Sequence, residues 1–177
     1  MRTLTLLACS LAAFAALVTS AGAAGSDAGV LSVERGRGIV ALDLRGSVLG
    51  RLGNGAIRVT DHTPRDPFSE IVVGRKLVPE RVGPRTVVYR GQGLSFRMVG
   101  GGYRIRISGA GISLSARGRG VVLLDGEPRV DGEDVGVYSI DGTDCGVDPT
   151  SCTALPLEAE RIVLGSRPDE DGPRGGS

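Results

Sequence analysis

The sequence contains no tryptophan, and only three tyrosines and three phenylalanines among 177 residues. A core must therefore be built mainly from valine, isoleucine and leucine. The aromatic platforms on which single-stranded nucleic acids stack are scarce, which argues against nucleic acid as a partner. Histidine occurs once, at His62, and lysine once, at Lys76, so 20 of the 21 basic residues are arginine. After the first 24 residues only two cysteines and one histidine remain, short of the four Cys/His ligands of structural zinc, and no Cys-x-x-Cys pair exists for redox work. No Gly-x-Ser-x-Gly elbow offers a serine nucleophile. Beyond the first twenty or so residues no apolar run is long enough to cross a bilayer as a helix, so no integral membrane segment is expected once the leader is removed.

What the chain has in abundance is glycine, 29 residues of it, and between 91 and 125 the glycines keep time. Gly91, Gly100, Gly109 and Gly118 recur every nine residues, each echoed two places later by Gly93, Gly102, Gly111 and Gly120. After each mark, apolar and polar residues alternate with the period of a half-buried strand. Leu94, Phe96 and Met98 share one face, as do Tyr103, Ile105 and Ile107, then Ile112, Leu114 and Ala116, then Val121 and Leu123. The other face carries Ser95, Arg97, Arg104, Arg106, Ser108, Ser113, Ser115 and Arg117. One dry and one wet face predict an all-β protein of antiparallel sheets or a β-sandwich, its short strands joined by Gly-x-Gly turns. The alternative is a β-roll or β-solenoid with nine-residue repeats. Calcium-binding rolls of that period carry aspartate where this chain has Phe96, Ile105, Leu114 and Val122 or Leu123, so their metal ligands are missing.

Residues 1–24 read as a secretory signal peptide: Arg2, an apolar stretch from Leu4 to Val18, and an Ala21-Gly22-Ala23 cleavage site. Leu6-Leu7-Ala8-Cys9 has the form of a lipoprotein box, but the apolar run continues past it, so Cys9 reads as a small residue of a discarded leader. A flexible lead-in is expected at 25–35, a single β domain at 36–165 and a disordered tail at 166–177. Within the domain an earlier copy of the repeat, 36–61, places Val40, Leu42, Leu44, Ile57 and Val59 inward, with Asp43 and Arg58 outward. A second module spans 91–125, and an acidic segment follows at 126–155. Two modules suggest two sheets or two halves of one sandwich. Short strands are expected near Ile71–Val73, Lys76–Val78, Thr86–Tyr89 and Glu160–Leu164.

Charge is distributed unevenly. Residues 28–124 hold 16 basic and 6 acidic side chains, whereas 125–177 hold 4 basic and 13 acidic. Such asymmetry fits an anion-binding surface, or an acidic segment folded back over a basic sheet. Cys145 and Cys152 enclose a six-residue loop, and in an exported chain they are expected to form a disulfide. His62 beside Asp61 reads as a polar loop residue, because a catalytic pair converges from separate elements. Asp131, Glu133, Asp134, Asp141, Asp144 and Asp148 offer carboxylates but do not match a calcium-loop spacing. The Gly-x-Gly marks precede strands, not the helix that a dinucleotide site requires. No metal, no cofactor and no catalytic residue is expected.

Arg97, Arg104, Arg106 and Arg117 remain as the candidate binding residues, since guanidinium forks hold phosphate and carboxylate bidentately. The phrases GPRTVVYRGQG and GGGYRI, with the Cys145–Cys152 turn, resemble uncharacterised glycine-rich secreted proteins of high-GC Gram-positive bacteria. The resemblance implies an exported β protein and no activity. The sequence thus points to a secreted, non-enzymatic β domain with anionic cell-envelope polymer as its partner. A self-associating structural β protein is the alternative, and a hydrolase a third.

Overall fold

The computed structural model describes residues 28–62, 70–128 and 135–165. The expected signal peptide and tail, most of the proline loop after His62, and Asp131, Glu133 and Asp134 lie outside the described residues. Within them the protein is all-β, with one short 3-10 turn at Pro149–Ser151 and no α-helix. The strands are β1 (Gly29–Asp61), β2 (Ile71–Gly83), β3 (Thr86–Gly126), β4 (Val137–Ser139), β5 (Thr153–Ala154) and β6 (Glu160–Leu164). They form one antiparallel sheet in the order β2-β3-β1-β4-β5, with β6 added to β3.

β1 and β3 run for 33 and 41 residues, and they pair with each other twice. Val40 faces Ile107 across one edge of β1 and Leu124 across the other; Leu49 faces Arg97 and Ser115. The two β3 partners of a β1 residue are therefore 17 or 18 positions apart. A ribbon of two antiparallel strands can do this only by winding, so that one turn later β3 meets the opposite edge of β1. One turn consumes two nine-residue units. The repeat in the sequence is half the pitch of the coil.

Winding stacks the glycines. Gly91, Gly55, Gly109, Gly38 and Gly126 are successive cross-strand neighbours, and half a turn away Gly46 and Gly29 both face Gly118. Between these two columns the sheet forms two layers. Layer one contains 78–83, 86–90, 56–61, 103–108, 39–45, 119–125 and 160–164, in that order; layer two contains 71–73, 94–99, 47–52, 112–117, 30–33, 137–139 and 153–154. Their inward side chains, among them Leu42, Ile57, Ile105 and Leu124 of one layer and Leu31, Leu52, Met98 and Ile112 of the other, belong to a single buried cluster. Each such side chain contributes about 1.5–3 kcal/mol through removal from water.

The antiparallel all-β architecture agrees with the sequence reading, but four details differ. The Gly-x-Gly marks are corners inside continuous strands, not hairpin turns. A hairpin would pair each unit with the next, whereas here the units of β3 pair with β1, β2 and β6 and not with one another, so the chain must bend without reversing. Positive φ at Gly55 (147°) and Gly109 (144°) supplies that bend. Second, the modules 36–61 and 91–125 are not separate halves, because each is the other's partner. Third, the expected flexible lead-in is strand from Gly29 onward, with Leu31 and Val33 buried. Fourth, the last unit of β3 buries Val122 and Leu124, leaving Val121 and Leu123 half-buried. Directly opposite residues share a face, and Val122 stands opposite the buried Leu42.

The chain after β3 extends the sheet at its margins. β4 pairs with 32–34 and β5 with β4, while β6 pairs with 120–124. The disulfide Cys145–Cys152 closes the loop between β4 and β5, and the buried Cys145 donates its backbone N–H to Ser32 Oγ at 3.0 Å. The disulfide loop covers the outward but buried Ser32 and Ser139 of layer two, whereas β6 extends layer one at its edge.

Candidate functional site

Outward positions of layer one fall into rows set by the register. One row runs Glu80, Val88, Arg58, Arg106, Ala41, Leu123. The row nearer the five-glycine column holds Arg90, Ala56 and Ser108, and the row on the other side holds Thr86, Thr60, Arg104 and Asp43. Because Gly55 faces Gly109, the arginine three residues after the first falls opposite the arginine three residues before the second. That is Arg58 against Arg106.

The flanking arginines have partners. Arg104 donates from Nε and Nη2 to Asp43 Oδ2 at 2.9 and 2.6 Å, and Arg90 Nη1 donates to Glu80 Oε2 at 2.5 Å. Thr60 and Thr86 share a hydroxyl hydrogen bond at 3.0 Å. Arg58 and Arg106 make no ion pair or side-chain hydrogen bond among the described residues. Like charges directly opposite on a sheet are destabilising, and no carboxylate pairs with either of them among the described residues. Around them opens a cleft of about 220 Å³ lined by Ala56, Arg58, Val88, Arg90, Arg106 and Ser108. Its small side chains, Ala56 and Ser108, let the guanidinium groups stand above the backbone. Val88 is only 3% exposed yet lies outside the main core, packed on the outer side of the sheet.

The four arginines singled out from the sequence are divided between the layers. Arg104 and Arg106 lie on layer one. Arg97 lies on layer two, opposite Leu49 and Ile71, near Ser95, Ser113 and Ser115. Arg117 faces Ser47 and Val30 on the same layer, at a cleft of about 430 Å³ around Gly46, Gly100 and Gly118 that Arg45 and Arg119 also line. Successive nine-residue units belong to alternate layers, so units that look equivalent in sequence present their polar faces in opposite directions. Arg58 and Arg90 join Arg106 at the site. The signal for Arg58 was its spacing from Gly55, readable only once the glycines are known to pair.

His62 sits at the exposed margin of layer one, with Nε2 4.0 Å from Asp43 Oδ1, and its N–H donates to the Gly102 carbonyl. In the disulfide region the carboxylates serve as turn caps. Asp141 Oδ1 accepts from Ser139 Oγ and from the Thr143 N–H, and the Ser139 hydroxyl above all holds the Asp141 carboxyl down at about 2. Asp148 accepts from Ser151 and Thr150, which lower its pKa in that order, and Asp144 accepts from the Gly146 N–H. No group of three or more metal-ligating side chains converges among the described residues.

No family model, curated protein or solved structure matches the chain.

Proposed function

We propose that the protein is an exported, non-enzymatic binding module that holds anionic cell-envelope polymer on the arginine-bearing face of layer one. The observation that carries this reading is the Arg58–Arg106 pair: two guanidinium groups directly opposite, without a carboxylate partner among the described residues, between two arginines that each have one. An external anion removes their repulsion and satisfies their donors together. Export is supported by the leader-like start of the sequence and by the Cys145–Cys152 disulfide. The test is co-sedimentation of the mature protein with isolated envelope at low and high salt. Binding at low salt should be lost in high salt and in the double variant R58Q/R106Q, and retained in R97Q/R117Q. Binding that survives R58Q/R106Q would locate the ligand elsewhere.

Self-association is the second reading, favoured by β2. This strand ends the sheet and exposes Ile71, Val73 and Val78 by 53, 56 and 59%. An unpaired apolar edge is a template for another strand, although Pro79 and the positive φ of Lys76 blunt it. Sedimentation that changes with protein concentration in plain buffer would establish it.

A further inference from the structure

We infer that the cleft between Arg58 and Arg106 seats a phosphomonoester dianion, so that the polymer bound on this face is one bearing phosphomonoester groups. The inference rests on the polymer-binding reading and names the group recognised.

Charge selects the ligand first. Arg90 is neutralised by Glu80 and Arg104 by Asp43, leaving Arg58 and Arg106 as two positive charges at the cleft without an ion pair among the described residues. Donor geometry selects it next. Arg58 and Arg106 occupy directly opposed positions, with Cβ atoms about 5 Å apart as in any such pair, so each brings a separate fork of N–H donors to the same space. The Ser108 hydroxyl lines that space as a further donor. A carboxylate carries one charge and two oxygens, which a single fork exhausts. A phosphodiester likewise has one charge and two terminal oxygens. A phosphomonoester has three terminal oxygens and a charge of about −1.5 to −2 at neutral pH. Of these three groups it alone matches two forks, a hydroxyl and two positive charges. Val88 and Ala56 add apolar wall, against which the carbon side of the ester rests.

Ligand-induced amide shifts, measured on the mature chain with inorganic phosphate, dimethyl phosphate and acetate at equal ionic strength, test the assignment. Phosphate should bind saturably, with shifts centred on residues 56, 58, 106 and 108. Dimethyl phosphate and acetate should bind at least about tenfold more weakly, each lacking a charge-assisted hydrogen bond. Ala56→Leu fills the floor while keeping every arginine, and should abolish phosphate binding and weaken envelope binding along with it. Arg58→Gln, at an exposed position, should lose phosphate binding with a melting temperature no lower than that of the native chain. Equal affinity for the three anions, shifts elsewhere, or phosphate binding that survives both variants would overturn the assignment. Envelope binding without phosphate binding would refute the seat and leave the polymer reading standing. Phosphate binding without envelope binding would refute the polymer reading and leave the seat.

Discussion

Gly55 and Gly109 stand directly opposite one another, and neither leaves room for a side chain on the other strand. A Cβ on Gly55 would meet the carbonyl oxygen of Ser108, and one on Gly109 the carbonyl oxygen of Asn54, both well inside van der Waals contact. Both residues also have positive φ, so a substitution is strained even before it clashes. Gly55→Ala and Gly109→Ala should each destabilise the protein by about 2 kcal/mol or more in urea denaturation. Gly83 provides the control. It has no positive φ, and a Cβ there would lie 3.7 Å from its nearest neighbour, so Gly83→Ala should stay within about 0.5 kcal/mol. Equal stability of Gly109→Ala and the native chain would show that the columns are not needed for the bend.

Adjacent leucines report the parity of the last β3 unit. Leu124 is fully buried among the core residues, whereas Leu123 is half-buried on the outer side, opposite Arg161. Leu124→Ala should cost about 3 kcal/mol through lost transfer energy and the cavity left behind. Leu123→Ala should cost less than about 1 kcal/mol. The reverse order would restore the inward placement of Val121 and Leu123 that the nine-residue count predicts.

Those leucines also mark how far the sequence carries. Alternation within a unit was legible because it is a local property: Leu94 to Met98, Tyr103 to Ile107 and Ile112 to Ala116 are all buried at the expected positions. What alternation cannot hold is the identity of the partner strand. Val122 turns inward because Leu42, about 80 residues earlier in the chain, stands opposite it. The arginines follow the same logic. Arg104 and Arg106 are two apart on one strand, so their common face was readable. Their separation from Arg97 and Arg117 depends on the winding, and Arg58 enters the site through pairing alone. The expected disulfide at Cys145 and Cys152 was readable because, with Cys9 set in an expected leader, a single pairing remained.

That disulfide closes a short loop, with a sequence separation of 7, and the chain-entropy model assigns it about 2.5 kcal/mol. Cys145 is buried beside Ser32, so the loop anchors β4 to β1. Cys145→Ser with Cys152→Ser should lower stability by about that amount and raise amide exchange in 137–154 more than in β1 or β3. Uniform loss of protection throughout would mean that the loop belongs to the global folding unit.

Asp141 gives the same region a pH dependence whose sign is fixed. Its carboxyl is held at about 2 in the folded protein against an ordinary 3.8, chiefly by the Ser139 hydroxyl and then by the Thr143 N–H. A depressed folded pKa contributes stability above the unfolded value, and that contribution disappears as pH falls through 3.8 toward 2. Asp141→Asn should lack this part of the acid dependence. Carbon-detected NMR should place the Asp141 midpoint near 2 in the native chain. A midpoint near 3.8 would mean that the hydroxyl and amide do not hold the carboxylate in solution.

Asp43 tests whether anion binding is limited by the protein's own carboxylates. It accepts two hydrogen bonds from Arg104 and lies 4.0 Å from His62 Nε2, but both members of the Arg104 pair are about half exposed. Such surface pairs contribute about 0–1 kcal/mol, so Asp43→Asn should change stability by less than about 1 kcal/mol. Its effect on binding should be larger. The substitution removes one negative charge from the row beside Arg106 and releases Arg104 toward incoming ligand. Envelope binding should therefore strengthen at low salt and fall more steeply as salt rises, because more of the attraction is screenable charge. Weaker binding with unchanged stability would assign Asp43 the opposite role. Arg104 would then have to be held by its carboxylate to engage the polymer, and the site would extend from the Arg58–Arg106 cleft into the next row.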